Sequence, residues 1–142
     1  MKNFIFSLLI LLISITVLTA QEETTDPDST QKAIKAAESW LEEVDKGDYN
    51  KSWEEAAEYF KNVVTKENWQ KSMAAFRKPL GKIKKREVIS TQIRHSLPGA
   101  PDGNYIIIRF NTAFEHKKAA IETITPMLEK DGQWRVSGYY IK

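Results

Sequence analysis

Glu122 is the residue whose type and surroundings most invite chemistry. It stands in the run Ala119 to Glu129, where a period of two puts it beside Ala120, Ile124 and Leu128 on one strand face. A lone acid on an apolar face needs a partner, and Arg77 and Arg86 are the two cations placed to supply one. A bidentate pair with either would keep the carboxylate charged and inert. An unpaired buried acid takes up protons more readily and can serve as a general base, here in a small lyase or isomerase with His95 assisting beside a carbonyl. If the aromatic side chains Trp40, Trp53, Trp69, Phe76, Phe110 and Trp134 leave a gap, it is an apolar pocket with Glu122 and an arginine as polar anchors, which is how small-molecule sites are commonly built. The candidate ligand-binding set is therefore Glu122, Arg77, Arg86, Trp40, Trp53, Trp69, Phe110 and Trp134, and no residue is assigned a catalytic role. His95 and His116 lack metal-ligand spacing, the chain has no cysteine, and neither a metal nor a cofactor is implied. Asp45 and Asp48 flank Gly47, where helix capping accounts for them.

The elements that position these groups come in two blocks. Ala33, Ile34, Ala37, Trp40, Leu41 and Val44 recur at steps of three and four over Gln31 to Lys46, which predicts a helix with one buried stripe, ended by Gly47. Asp48 or Ser52 caps a second helix, with the stripe Tyr49, Trp53, Ala56, Ala57 and Phe60. Thr65 starts a third, with Trp69, Met73, Phe76 and Leu80 inward, and Pro79-Leu80-Gly81 stops it. From Arg86 onward the period is two. Ile89, Thr91, Ile93, His95 and Leu97 share a face of the first strand; Ile106, Ile108, Phe110 and Phe114 share one of the next, against Tyr105, Ile107, Arg109 and Asn111. Pro126 bulges the third strand or makes it partly an edge. Asp131-Gly132 turns into a last strand, Gln133 to Ile141, with Trp134, Val136 and Tyr140 against Arg135, Ser137 and Tyr139. Helices gathered ahead of strands predict an α+β fold, three N-terminal helices packed on a curved four-stranded antiparallel sheet. Tyr105, Ile107, Ile121, Met127, Tyr139 and Ile141 would leave an apolar area on the outer face suited to a homodimer or another protein.

Residues 1–20 have a basic start, an apolar stretch from Phe4 to Leu18, and small Thr19 and Ala20. This is the pattern of a signal peptide cleaved after Ala20, too short to span a bilayer and followed by no stop-transfer cluster. The alternative is a signal anchor in the inner membrane; after cleavage no membrane attachment is expected. Residues 21–31, acidic and rich in Ser and Thr, are expected to be a flexible linker, and 32–142 a single domain. Loss of residues 1–20 removes Lys2 alone among charged groups, so a chain of net charge +2 becomes nearly neutral. That balance, with one short basic run at Lys82 to Arg86, excludes nucleic acid as a partner.

Several blocks carry a family resemblance: Ala37-Glu38-Ser39-Trp40-Leu41, Gly47-Asp48-Tyr49, Ser52-Trp53, Lys78-Pro79-Leu80-Gly81, Leu97-Pro98-Gly99-Ala100-Pro101-Asp102-Gly103-Asn104-Tyr105, and Trp134-Arg135-Val136-Ser137-Gly138-Tyr139-Tyr140. Together they resemble the exported bacterial family called domain of unknown function 4019, over nearly the whole mature domain. The helix-then-sheet order is also similar to the nuclear transport factor 2-like, cystatin-like cone, which hosts enzymes, binding proteins and inert modules and so transfers no function. The resemblance implies a periplasmic or secreted protein of the bacterial envelope without an assigned activity. The expected function is a non-catalytic binding or protein-interaction module, taking a small apolar ligand or an envelope protein. The alternative is the lyase or isomerase based on Glu122.

Overall fold

The computed structural model describes residues 26–142; the expected signal peptide and the first residues of the expected linker lie outside them. The first helix, α1, runs Pro27–Asp45. It starts four residues ahead of the predicted Gln31, and residues 27–31 are helical instead of linker. The local reason is capping: the Asp26 side chain accepts from the Asp28 N–H at 3.1 Å, Pro27 takes the first helical position, and Asp28 opposes the helix dipole. These signals outweigh the lack of apolar residues in that turn. Ala33, Ala37, Trp40, Leu41 and Val44 form the buried stripe as predicted.

The predicted second helix is two helices, α2 at Tyr49–Glu55 and α3 at Glu58–Val63. Ala56 and Ala57 between them are extended, because the Ala57 N–H leaves the helical pattern to donate to the Val136 carbonyl at 2.8 Å. That bond ties the helical layer to the last strand. The next helix, α4, spans Lys66–Phe76 behind an N-cap bond from the Asn68 N–H to Thr65 Oγ1. A 3-10 turn at Lys78–Leu80 follows, and Gly81 ends it.

Four strands complete the chain: β1 Ile83–Arg94, β2 Tyr105–Phe114, β3 Lys117–Leu128 and β4 Trp134–Ile141. They form one antiparallel sheet in the order β1-β2-β3-β4, with helices packed on one face, so the α+β architecture is as expected. The helix α1 lies against β2, β3 and β4. The inner face carries Ile106, Ile108, Phe110, Ile124 and Val136, which join the buried helical stripes in a continuous core.

Two bulges change which side chains point inward. The register shifts between Val88 and Ser90, so Ile89 leaves the alternation predicted for β1 and is 53% exposed. A second shift falls between Thr125 and Pro126, where Pro126 pairs with Val136 and Ile124 with Tyr139. Val136 and Tyr139, three apart, therefore both face the helices, whereas Tyr139 was expected outside and Tyr140 inside. Tyr105 is buried as well, its hydroxyl donating to the Pro101 carbonyl at 2.5 Å. Ile141 pairs with Glu122 on the inner side. Of the expected outer apolar area only Ile107, Ile121 and Met127 remain, each half-buried.

Gly47 and Gly81 separate two costs of adding a side chain. Both have positive φ, but a Cβ on Gly47 meets nothing within 4 Å, while one on Gly81 would lie 2.9 Å from Glu115 Oε2 and from His116 Cδ2. Gly47→Ala should cost about 1 kcal/mol from the left-handed backbone alone, and Gly81→Ala at least roughly twice that, measured by urea unfolding. Equal costs would mean that the close approach at Gly81 relaxes freely.

Candidate functional site

Four charged side chains meet beneath the helical layer. Arg86, on β1, donates from Nε to Glu122 Oε1 at 2.7 Å and from NH2 to Oε2 at 3.3 Å. Its other edge faces Asp45 at the end of α1, with NH1 to Oδ2 at 2.7 Å and NH2 to Oδ1 at 3.0 Å. Arg77, the C-cap of α4, donates to Asp45 Oδ1 at 3.1 Å and to the Gly81 carbonyl at 2.8 Å, and its guanidinium lies 4.4 Å from the Phe114 ring centre. Two cations and two anions balance, as buried charges require. Of the two arginines predicted to meet Glu122, Arg86 does so; Arg77 pairs with Asp45, which is not a capping residue as expected. Asp48 does cap, accepting from the Lys51 N–H.

Glu122 is fully buried, at 0% exposure, and its acceptor capacity is used up. Thr112 Oγ1 adds a bond to Oε1 at 2.6 Å and the Tyr139 hydroxyl one to Oε2 at 2.5 Å. Four donors thus meet the four lone-pair positions of one carboxylate. No acceptor position is left for a substrate proton, and no water or ligand can reach the group without breaking the packing. Burial of Arg86 favours loss of its proton, but the hydrogen bonds it donates to Asp45 and Glu122 outweigh that and hold its pKa above the ordinary arginine value. Burial, then the Glu122 charge and its hydrogen bond, hold the Tyr139 hydroxyl well above the usual 10.0. His95 takes no part. It lies nine residues beyond Arg86, on the order of 30 Å along the strand, and bonds Asn104.

The indole groups fill the interior. Trp40 and Trp69 have ring centres 5.6 Å apart, and Tyr139 stands edge-on to Trp40 at 5.4 Å. Their ring N–H groups donate to the Ser52 carbonyl and hydroxyl at 2.7 and 2.9 Å. Phe110 is buried with them. Trp53 and Trp134 are half-buried at the margin, the former donating to the Val64 carbonyl at 2.7 Å. The expected set thus packs as core and border around the charges, with Glu122 at 0% exposure.

A hollow of about 430 Å³ borders the charged group at Asp45 and Arg77. A cleft of about 490 Å³ lies between α4 and the end of β4, with Trp69, Met73 and Tyr139 on its walls and Phe76 and Tyr140 beside it. Phe76, expected inside, is 72% exposed, and Tyr140 is 56% exposed. Phe76 is displaced because the next residue, Arg77, takes the buried position under α4 to reach Asp45. Sequence reasoning missed Tyr139, Thr112 and Asp45 in the charged group, and missed the cleft. Among the described residues, no cluster of three or more His, Asp or Glu is placed to hold a metal, and no helix is long and apolar enough to cross a membrane.

Removing one partner from a buried ion pair strands the other. Glu122→Gln should lower stability by about 3 kcal/mol in urea unfolding, and an unchanged midpoint would show that the pair carries no such constraint. The Tyr139 shift has a defined sign. The unfolded chain loses this proton near pH 10 while the folded chain keeps it, so stability is complete below pH 10 and falls as pH rises beyond, by up to about 1.4 kcal/mol per unit. Tyr139→Phe should be less stable at neutral pH yet show a shallower alkaline decline; an identical slope in both proteins would assign the decline to other groups.

Comparison with known proteins gives one family and no activity. Among curated proteins none matches the chain. A family model described as protein of unknown function (DUF4019) matches residues 36–139, a span holding the second half of α1, all of α2, α3 and α4, and Asp45, Arg77, Arg86, Glu122 and Tyr139. With most of its length covered in that way, the chain belongs to the DUF4019 family.

Proposed function

We propose that this protein is a non-catalytic binding module of the bacterial cell envelope that holds an apolar group in the cleft between α4 and β4. The observation that carries the reading is Phe76. A phenyl ring exposed to 72%, next to a concave wall made by Trp69 and Tyr139, is apolar surface that the fold does not use for itself. The cleft volume of about 490 Å³ lies in the ordinary range for small-molecule sites. Glu122, the group an enzyme would use, is saturated by four donors and sealed, which weighs against the lyase or isomerase reading. A dimer through the outer sheet face has less support, since Tyr105, Tyr139 and Ile141 do not contribute to that face.

Export rests on the N-terminal pattern, and its test is direct. In cells expressing the full chain, the mature protein should appear in the envelope or medium with Gln21 as its first residue; a cytoplasmic protein retaining Met1 or Lys2 would remove the envelope from this reading. For binding, a neutral apolar dye such as Nile red should saturate at one per chain. Phe76→Asp, at an exposed position, should leave the melting temperature unchanged and weaken the dye by about tenfold, corresponding to roughly 1.4 kcal/mol of lost apolar contact. Binding that never saturates, or that ignores the substitution, rejects the cleft as the site.

A further inference from the structure

The cleft has a charge pattern as well as an apolar wall. Lys117 and Lys142 line it and no Asp or Glu does. Among the described residues neither ammonium has an ion-pair partner, although Lys117 is half-buried. Lysines on the helices are mostly paired, Lys32 with Asp28, Lys51 with Glu43, Lys66 with Glu54 and Lys71 with Glu67 among them, whereas those in the sheet half of the chain mostly are not. Two ammonium groups without a carboxylate partner would attract an anionic ligand head to that part of the cleft.

The two charges also fall at a definable place. The His116 N–H donates to the Leu80 carbonyl at 2.9 Å, so Lys117 emerges where the turn after α4 meets the sheet. The backbone of Lys142 exchanges both hydrogen bonds with Ile121, at 2.9 and 3.0 Å, which places it on the neighbouring strand four residues into β3. From there the wall continues through Phe76 and Met73 to Trp69, about 10 Å along the axis of α4. Near its far end Phe60 packs on Trp69 with ring centres 5.1 Å apart. The cleft is thus cationic toward the Leu80 end and aromatic toward the Trp69 end.

The geometry points to a single-chain amphipathic carboxylate, an anionic head on an unbranched apolar tail, as the ligand of this cleft, with Lys117 and Lys142 receiving the head and Trp69, Met73 and Tyr139 the tail. The assignment rests on the reading of the cleft as a binding site and adds the chemical class of what it holds. A cationic amphiphile would face repulsion at the head, and a neutral one would leave Lys117 without its counter-charge.

Decanoate and decan-1-ol, below their aggregation limits, share a tail and differ in the head. Titrated into the full-length protein's exported form, or into the full chain if it is not processed, decanoate should change the tryptophan fluorescence saturably and bind more tightly than decan-1-ol. Lys117→Gln with Lys142→Gln, both at surface-accessible positions, should weaken decanoate about fivefold and leave decan-1-ol unchanged. Equal binding of the two compounds, unaffected by the lysine changes, overturns the anionic head while the cleft stands as an apolar site. Binding of neither compound, with Nile red still sensitive to Phe76→Asp, overturns the single-chain ligand alone; loss of all three rejects the cleft itself. Capture by phosphatidylglycerol vesicles without binding of free decanoate would also overturn the proposal, in favour of a membrane surface.

Discussion

The ends of α1 and α4 are tied to the sheet through one guanidinium. Arg86 presents two edges to two carboxylates, Asp45 from the end of α1 and Glu122 from the middle of β3. A lysine could not do this, because a single ammonium has no planar fork with which to hold two acids in fixed directions. Arg77 then joins Asp45 to the end of α4, while Thr112 and Tyr139 join Glu122 to β2 and β4. Six elements thus converge on four charges. Burial of such a group adds little net stability compared with an apolar cluster of equal volume. Its consequence is registry: a slip of β3 by one residue would send Glu122 outward and leave Arg86 with one uncompensated edge.

Tyr139 connects this charged centre with the open side of the molecule. Its hydroxyl closes the last position on Glu122, and its ring packs edge-on against Trp40 while forming part of the cleft wall. The same side chain covers the acid from solvent and presents apolar surface to the cleft. This division explains how a chain with a conspicuous buried acid can lack a pocket at that acid. Trp40 and Trp69 are both anchored to Ser52, and Trp69 also presents one side to the cleft.

The layer order, the inner face of β2 and the pairing of Glu122 with an arginine were all readable from residue type and period, because each depends on local alternation or on the cost of a buried charge. The errors share a cause of their own. The bulge at Pro126 was foreseeable from the missing N–H, but its effect falls on β4, where it carries Tyr139 rather than Tyr140 to the inside. A phase shift in one strand is invisible in the sequence of its neighbour. Asp45 was misread for a different reason: it follows Leu41 by four residues and so lies on the buried stripe of α1, yet its proximity to Gly47 suggested a cap. Thr112 stands between Phe110 and Phe114 on the inner face, where alternation alone marks it as a buried hydroxyl in need of an acceptor. The two-helix form of the α2 and α3 region depended on a carbonyl, Val136, that lies far along the chain.

Competition at the end of α4 links the closed centre to the open cleft. An amphipathic helix that ends Met73-Ala74-Ala75-Phe76-Arg77 would ordinarily bury the phenyl ring and expose the guanidinium. Here the order is reversed, with Arg77 at 3% exposure and Phe76 in solvent, because Asp45 and the Gly81 carbonyl reward the arginine and Phe114 provides a ring for it to cover. The exposed ring is therefore a direct result of satisfying Asp45. A fold under pressure only to be stable could place a small polar residue at position 76 and lose nothing of the charged network. At 72% exposure the phenylalanine there adds little internal packing, and on the proposed reading it is apolar surface that a ligand in the cleft would cover.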